Sequence, residues 1–290
     1  MNLRAIFSSK ITSIKPQKIQ GEAARHARRA VHSRFSFSST VFAITIVFLF
    51  LPLIVLIVYS FNASTSMTWT GFSLRWYKQL LDSRELWRAF SNSVIVAITS
   101  AISATIIGTI GAVGINWYRF KLRGYTQTIS FLPMILPEII IGVSLAIFFA
   151  GIGIPLGLFT IYIAHTTFNI PFVFLMVMAR LDEFDFSIIE AAQDLGATER
   201  KTLFKVTLPV CMPGIISGFL TAITLSLEDF VITFFVAGPG SSTLPIFIYS
   251  AITRKGSITP LVSALSVVMI LGTVILSVTL RKFLKNIAAK

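Results

Sequence analysis

Three carboxylates, Glu138, Glu228 and Asp229, stand in stretches that otherwise carry almost no charge. No Asp, Glu, Lys or Arg occurs between Glu138 and Arg180, nor between Arg34 and Arg75. An uncharged apolar run of roughly 18 residues or more is long enough to cross a bilayer as a helix. A carboxylate inside hydrocarbon costs about 2.5–3.5 kcal/mol, so acids there usually face a cavity and serve transport. Other chemistries find little support. His26, His32 and His165 are scattered with no HExxH spacing, and the single cysteine, Cys211, excludes an internal disulfide or a cysteine-built metal site. There is no GxxxxGK[ST] loop to cradle phosphates, and Arg254-Lys255-Gly256 has its basic residues in the reverse order.

Ser217, Thr221, Thr224 and Glu228 recur at i, i+4, i+7 and i+11, which puts them on one helix face. Asp229 points about 100° away, grouped with Ser226 and Thr233. Glu228 and Thr224 are therefore expected on a polar pathway, with Asp229 and Ser226 at its edge or against a neighbouring helix. The reverse assignment stays open, because sequence does not say which way the lumen lies. Pro137 is expected to kink the span that carries Glu138. No Lys or Arg lies in these spans, so the balancing charge must come from a partner subunit, from protonation or from cargo. Three readings follow: a cation pathway, ion pairs that fix assembly, or silent protonated carboxyls. Trp76, with Trp69, Tyr77 and Trp87, belongs either to an interfacial aromatic belt or to a surface that stacks on an arriving cation.

The elements that must position these groups are helices. Of 290 residues, 54% are hydrophobic and only 13% charged, against about 25% charged in an ordinary soluble domain. The pattern predicts an all-α membrane protein with six spans at 41–61, 89–115, 125–150, 157–179, 210–237 and 260–280. Residues 1–40 read as a basic, Ser-rich, disordered cytoplasmic tail, although a transit peptide has that composition too. Residues 180–209 form a cytoplasmic loop and 281–290 a second tail. This layout puts nineteen of the 25 Lys and Arg on one side, so the positive-inside rule predicts both termini in the cytoplasm. Topology also explains the net charge of +13 without a nucleic-acid partner. Ala101, Ala104, Gly108 and Gly111 make a small-residue face for close helix packing, and His165 with Asn169 reads as a helix-bridging pair. Gly238-Pro239-Gly240 reads as an outer turn.

The cytoplasmic loop is unusual in holding six acids: Asp182, Glu183, Asp185, Glu190, Asp194 and Glu199. Ser187 with Glu190 reads as a capping box, Ile188, Ile189, Ala192 and Leu195 as one apolar face, and Gly196 as a left-handed stop. A second helical stretch, 198–206, should end before Pro209. Two short helices with a glycine joint suit docking into a groove of another protein.

Glu190-Ala191-Ala192, then Gly196, then after nine residues Val206-Thr207-Leu208-Pro209, resembles the EAA signature of ABC-importer permeases, with Val206 where the pattern has Ile. FSLRWYKQL (72–80), DEFDFSIIEAAQDLGA (182–197) and LSLEDFVITFFVAGPGSSTL (225–244) are similar to the second permease of spermidine/putrescine importers. The resemblance implies a type I importer permease fold in a bacterial inner membrane. It also implies a heterodimer with a homologous permease, two copies of an ABC ATPase and an extracytoplasmic binding protein. Glu190, Ala191, Ala192, Asp194, Leu195 and Gly196 would be the coupling element. ATP and Mg²⁺ would be used by the ATPase, with no cofactor or metal on this chain and no enzymatic activity of its own. Another organic cation, iron or an anion remains an alternative cargo, and a proton-coupled secondary transporter an alternative machine.

Overall fold

The computed structural model describes residues 16–65, 68–117, 121–183, 185, 187–255 and 259–288, with backbone alone for 16–36, 254–255, 276–278 and 280–288. Residues 1–15, Arg119, Gly256 and Lys290, which enter the sequence readings above, lie outside this set. Among the described residues the chain is helical, and its one strand-like pairing is an antiparallel bridge between Asn62 and Phe72.

Residues 1–59 and 60–290 form two separate units. In the first, α1 (Pro16–Tyr59) is a single helix, so residues 16–40, read as a disordered tail, are helical. Its segment Phe37–Tyr59 is long and apolar enough to cross a membrane. A single helix has no core of its own in which to hide Phe42, Val47 and Phe48.

The second unit begins with α2 (Arg75–Leu81) and α3 (Arg84–Trp117), followed by α4 (Arg123–Ser130), α5 (Leu132–Ile135), α6 (Glu138–Gly151) and α7 (Leu158–Asp182). The acidic segment after α7 contributes α8 (Ser187–Asp194) and α9 (Glu199–Thr202). Then come α10 (Leu208–Glu228), α11 (Val231–Val236), α12 (Leu244–Lys255) and α13 (Pro260–Ala288). Helices α3, α7 and α10 make the centre. The small-residue face of α3 lets it approach α7 closely: Ala101, Ala104 and Ala112 are fully buried with Val173, Val177, Cys211 and Ala222. A second cluster joins α6, α7 and α11 through Phe149, Ile161, Ala164, Ile232 and Val236. A third holds α2 against α12 and α13 through Trp76, Leu80, Leu244 and Leu265.

Several expected elements differ in form. The third span is not a kinked helix: Arg123–Ile135 and Glu138–Gly151 meet at 99°. Leu136 and Pro137 are both extended there, because residue 136 precedes a proline and Pro137 cannot donate to the preceding turn. The fourth span instead runs through Pro171 and on to Asp182. The stretch expected to end before Pro209 continues into the fifth span, so that Glu199–Glu228 is one helix of 30 residues. A π-helical turn, Leu203–Thr207, closed by the Leu208 N–H on the Leu203 carbonyl, makes this possible. The wider turn absorbs the missing N–H and the bulk of Pro209. That fifth span then breaks at Asp229 rather than running to residue 237. Among the described residues four helices are long and apolar enough to cross a membrane, or five if the bent pair counts as one span. In α13 the apolar stretch among the residues described with side chains is Pro260–Ile275, and the helix backbone runs on to Ala288.

Candidate functional site

The two breaks, at 136–137 and at 229–230, lie next to each other because α6 packs on α11. A Cβ on Gly142 would stand 2.9 Å from the Phe235 ring and 3.3 Å from Cα of Ile232, so glycine lets the backbones close. Glu138 is one turn before Gly142, and Glu228 one turn before Ile232. The carboxylates thus arrive in step, and the charges of Asp229 and Glu228 both act on Glu138.

Their surroundings differ. Glu138 is exposed in the first turn of α6, at the positive end of that helix dipole. Glu228 is exposed at the last position of α10, where the dipole is negative, so helix and side chain present negative potential together. Thr224 is exposed on the same face, with Ser217 and Thr221 partly so, and the Thr224 hydroxyl turns back onto the Leu220 carbonyl at 3.0 Å. The polar stripe read from spacing is present in the structure.

Asp229 is the opposite case, only 8% exposed. Its extended backbone ends α10, and its carboxylate caps α11, accepting the N–H of Thr233 at 2.8 Å and of Ile232 at 3.3 Å. The Thr233 hydroxyl adds a third bond at 2.6 Å, and Nε2 of His165 lies 3.1 Å from the same oxygen. Nδ1 of His165 is 2.6 Å from the Ser226 hydroxyl. Asp229 and Ser226, read from sequence as lying at the pathway's edge or against a neighbouring helix, are buried. They are joined through His165, as the alternative of a helix neighbour allowed. Asn169 also bridges α7 to α10, through the Ala222 carbonyl at 3.2 Å. His165 was the residue missed as a partner for the acids. The signal in the sequence is its position in an uncharged run, where an imidazole can partner an acid as Lys or Arg would.

Trp76 is likewise buried. It is 3% exposed, and its indole N–H donates to the Asn62 carbonyl at 2.7 Å. Its ring closes the core between α2 and α13, with the Arg75 guanidinium 4.3 Å from the ring centroid. Tyr77 bonds Ser60 at 2.7 Å, whereas Trp69 and Trp87 remain half exposed.

On the acidic segment between α7 and α10, Gly196 has φ +84° and ends α8 in a Schellman motif. Ala197 N–H reaches the Ala192 carbonyl at 3.0 Å, and Gly196 N–H the Gln193 carbonyl at 2.8 Å. The start of α8 differs from the expected capping box: Ser187 lies inside the helix, and its N–H donates to Asp185 at 2.9 Å. The Ser187 backbone N–H, and then its hydroxyl, hold the Asp185 carboxyl below the usual carboxylate value. Ile189 is buried, whereas Glu190, Ala191, Asp194, Gly196 and above all Leu195, at 89%, are exposed. The apolar face therefore splits, with Ile189 turned inward and Ile188 and Leu195 outward.

Residues 104–289 match the model of the binding-protein-dependent transport system inner membrane component family. The spermidine/putrescine transport system permease protein PotC of Escherichia coli (strain K12) is 38% identical over 230 residues, 79% of this chain and 86% of PotC. The putrescine transport system permease protein PotI of the same strain is 44% identical over 236 residues, 78% of this chain and 83% of PotI. Among solved structures, a bacterial ABC transporter that imports the acidic polysaccharide alginate superposes with TM-score 0.71 over 88% of this chain and 98% of that one, at 17% identity. The MetNI methionine ABC transporter gives TM-score 0.60 over 74% and 99%, at 20% identity. At such identities the likeness is one of fold, and it is the fold of an ABC-importer permease. With nearly two thirds of its length matched by the family model, and with relatives alike over most of both chains, this protein belongs to the binding-protein-dependent transport system inner membrane components.

Proposed function

We propose that this chain is one of two homologous permeases in an ATP-driven importer of polyamines, and that Glu228 and Glu138 line its cation pathway. The observation that carries this reading is the exposed Glu228 carboxylate at the negative end of α10, beside Glu138 at the facing break. Half-helix C-termini are suited to coordinating cations at a membrane midplane. A cargo with ammonium groups along an apolar stem matches spaced carboxylates and an uncharged wall, and an anion would be repelled. The transport systems named for PotC and PotI carry spermidine and putrescine, which supports the same class.

In this reading six spans cross the inner membrane with both termini in the cytoplasm, α13 being the sixth. Two ATPase subunits grip the exposed Glu190–Gly196 segment and use ATP and Mg²⁺, while this chain binds neither. Closure of the ATPases moves α8, and the continuous helix from Glu199 to Glu228 carries that movement to the carboxylates. An extracytoplasmic binding protein delivers cargo at the opposite face.

The test is uptake of labelled spermidine and putrescine by cells carrying the partner subunits, with and without this chain. Uptake that requires the chain, and that falls in Glu228→Gln at unchanged membrane abundance, supports the reading. Uptake unchanged by deletion removes the polyamine cargo.

A further inference from the structure

We propose that His165 is the positioning residue of the pathway: by holding Asp229 it fixes the break in the fifth span, so that Asp229 serves structure and Glu228 meets the cation.

The contacts of His165 can be satisfied together. With its proton on Nε2, the imidazole donates into the pair formed by Thr233 Oγ1 at 2.8 Å and Asp229 Oδ2 at 3.1 Å, and Nδ1 accepts from the Ser226 hydroxyl at 2.6 Å. Ser226 in turn accepts from Ser100 at 3.4 Å, so α3, α7, α10 and α11 are tied at one point. His165 is 2% exposed, Ser226 6%, Asp229 8% and Thr233 0%, so water cannot replace a lost partner. The Asp229 carboxylate receives three donors on Oδ2 (the Thr233 amide and hydroxyl and the imidazole) and one on Oδ1 (the Ile232 amide), and its burial keeps cargo from the remaining edge.

Glu228 is bonded to Asp229 through the backbone, and the direction of its side chain depends on where α10 stops. That stop is set by the extended backbone of Asp229, ψ 123°, and by its capping of α11. Without the imidazole the carboxylate is a buried anion short of one donor. Relief comes from turning toward the open side, which unwinds the cap and re-aims Glu228.

This proposal takes its cargo, though not its geometry, from the reading above, so the experiment has two arms. In the first, the whole transporter in membranes carries Cys211→Ser and Glu228→Cys, and labelling by a water-soluble methanethiosulfonate is timed with His165 intact, with His165→Ala and with His165→Gln. We expect His165→Ala to change the rate by about fivefold or more, and His165→Gln, whose amide can still donate to Asp229, to restore it. Equal rates in all three would overturn the positioning role.

In the second arm, putrescine uptake kinetics separate the two acids. Asp229→Asn, which keeps an acceptor for the α11 amides, should leave KM within about twofold, while Glu228→Gln should raise it about fivefold or more. His165→Ala and Asp229→Ala should each lower Vmax about tenfold, and the double variant no further, because they act as a unit. A KM for Asp229→Asn as high as that for Glu228→Gln, or additive losses in the double variant, would overturn the proposal. If the wild-type complex takes up neither polyamine but the labelling change appears, the cargo reading fails and the role of His165 stands.

Discussion

Gly108 and Val173 face each other so closely that a Cβ on the glycine would stand 2.9 Å from Cβ of the valine and 3.1 Å from the Ile170 carbonyl oxygen. From the other side, a Cβ on Gly218 would stand 3.1 Å from Cα of the same valine. Val173 is thus a wedge between α3 and α10, and the two glycines are the slots that receive it. A methyl group at either position must push a helix aside, which typically costs about 1–3 kcal/mol. We expect Gly108→Ala and Gly218→Ala to lower the melting temperature of the purified permease. Val173→Ala should restore a small part of the loss in either variant, because it removes Cγ1, at 3.0–3.1 Å from each added methyl, while the Cα, Cβ and Ile170 carbonyl contacts remain. Thermal unfolding of the single and double variants measures the coupling.

Trp76 separates a packing role from a cargo role. The ring is buried with Leu80, Leu244 and Leu265, and its N–H has a partner in the Asn62 carbonyl. Truncating such a residue costs about 3–5 kcal/mol through the cavity it leaves. Trp76→Ala should therefore reduce the amount of folded chain, whereas Trp76→Phe should retain most of it and transport with unchanged KM. Membrane abundance alongside uptake kinetics distinguishes these outcomes. A raised KM in Trp76→Phe at full abundance would return the residue to the pathway.

Much of this arrangement was legible in the sequence. Spacing at i, i+4, i+7 and i+11 placed Ser217, Thr221, Thr224 and Glu228 on one face, and the structure has them there, with Thr224 and Glu228 the most open. Gly196 was read as a left-handed stop and is one. The failures share a cause. Periodicity assumes an unbroken helix, and the fifth span breaks at Asp229 with no proline or glycine to announce it. The break rests on a tertiary bond to His165, 64 residues away, which local pattern cannot encode. Trp76 misled in a similar way: a Trp among basic residues between two spans looks interfacial, and only the folding of α2 onto α13 buries it. The π-turn at Leu203–Thr207 shows the converse, since Pro209 announced a stop that the backbone went around.

Asp185 supplies a pH dependence at the start of α8. Its folded-state pKa is depressed by the Ser187 N–H and hydroxyl, so the cap it provides is fully present above the unfolded value, about 3.9. The cap is lost as pH falls through the lower, folded value. Protection of the Ser187 amide against hydrogen exchange should therefore not change, beyond the intrinsic rate, between roughly pH 7 and pH 5. It should fall only in more acid solution. Asp185→Ala should remove the protection throughout, and Asp185→Asn, which keeps an acceptor oxygen, should preserve part of it without the acid limb.

Gly196 tests whether the exact ending of α8 matters to its partner. A Cβ there meets nothing within 4 Å, so any penalty comes from φ +84° and not from crowding. An L-residue in that conformation costs about 1–2 kcal/mol, and Asn tolerates it better than Ala. The strain falls on the two bonds of the Schellman motif, Ala197 to Ala192 and Gly196 to Gln193, and so on the direction in which Glu190 and Leu195 are presented. It leaves the buried helices α3, α7 and α10 untouched. We therefore expect membrane abundance to hold while co-purifying ATPase falls in the order Gly, Asn, Ala, Pro at this position. Equal ATPase recovery across the four would mean that the partner reads α8 without regard to its C-terminal turn. Coupled loss of abundance and ATPase would instead mean that the turn stabilises the permease itself, by holding α8 against the π-turn that leads into α10.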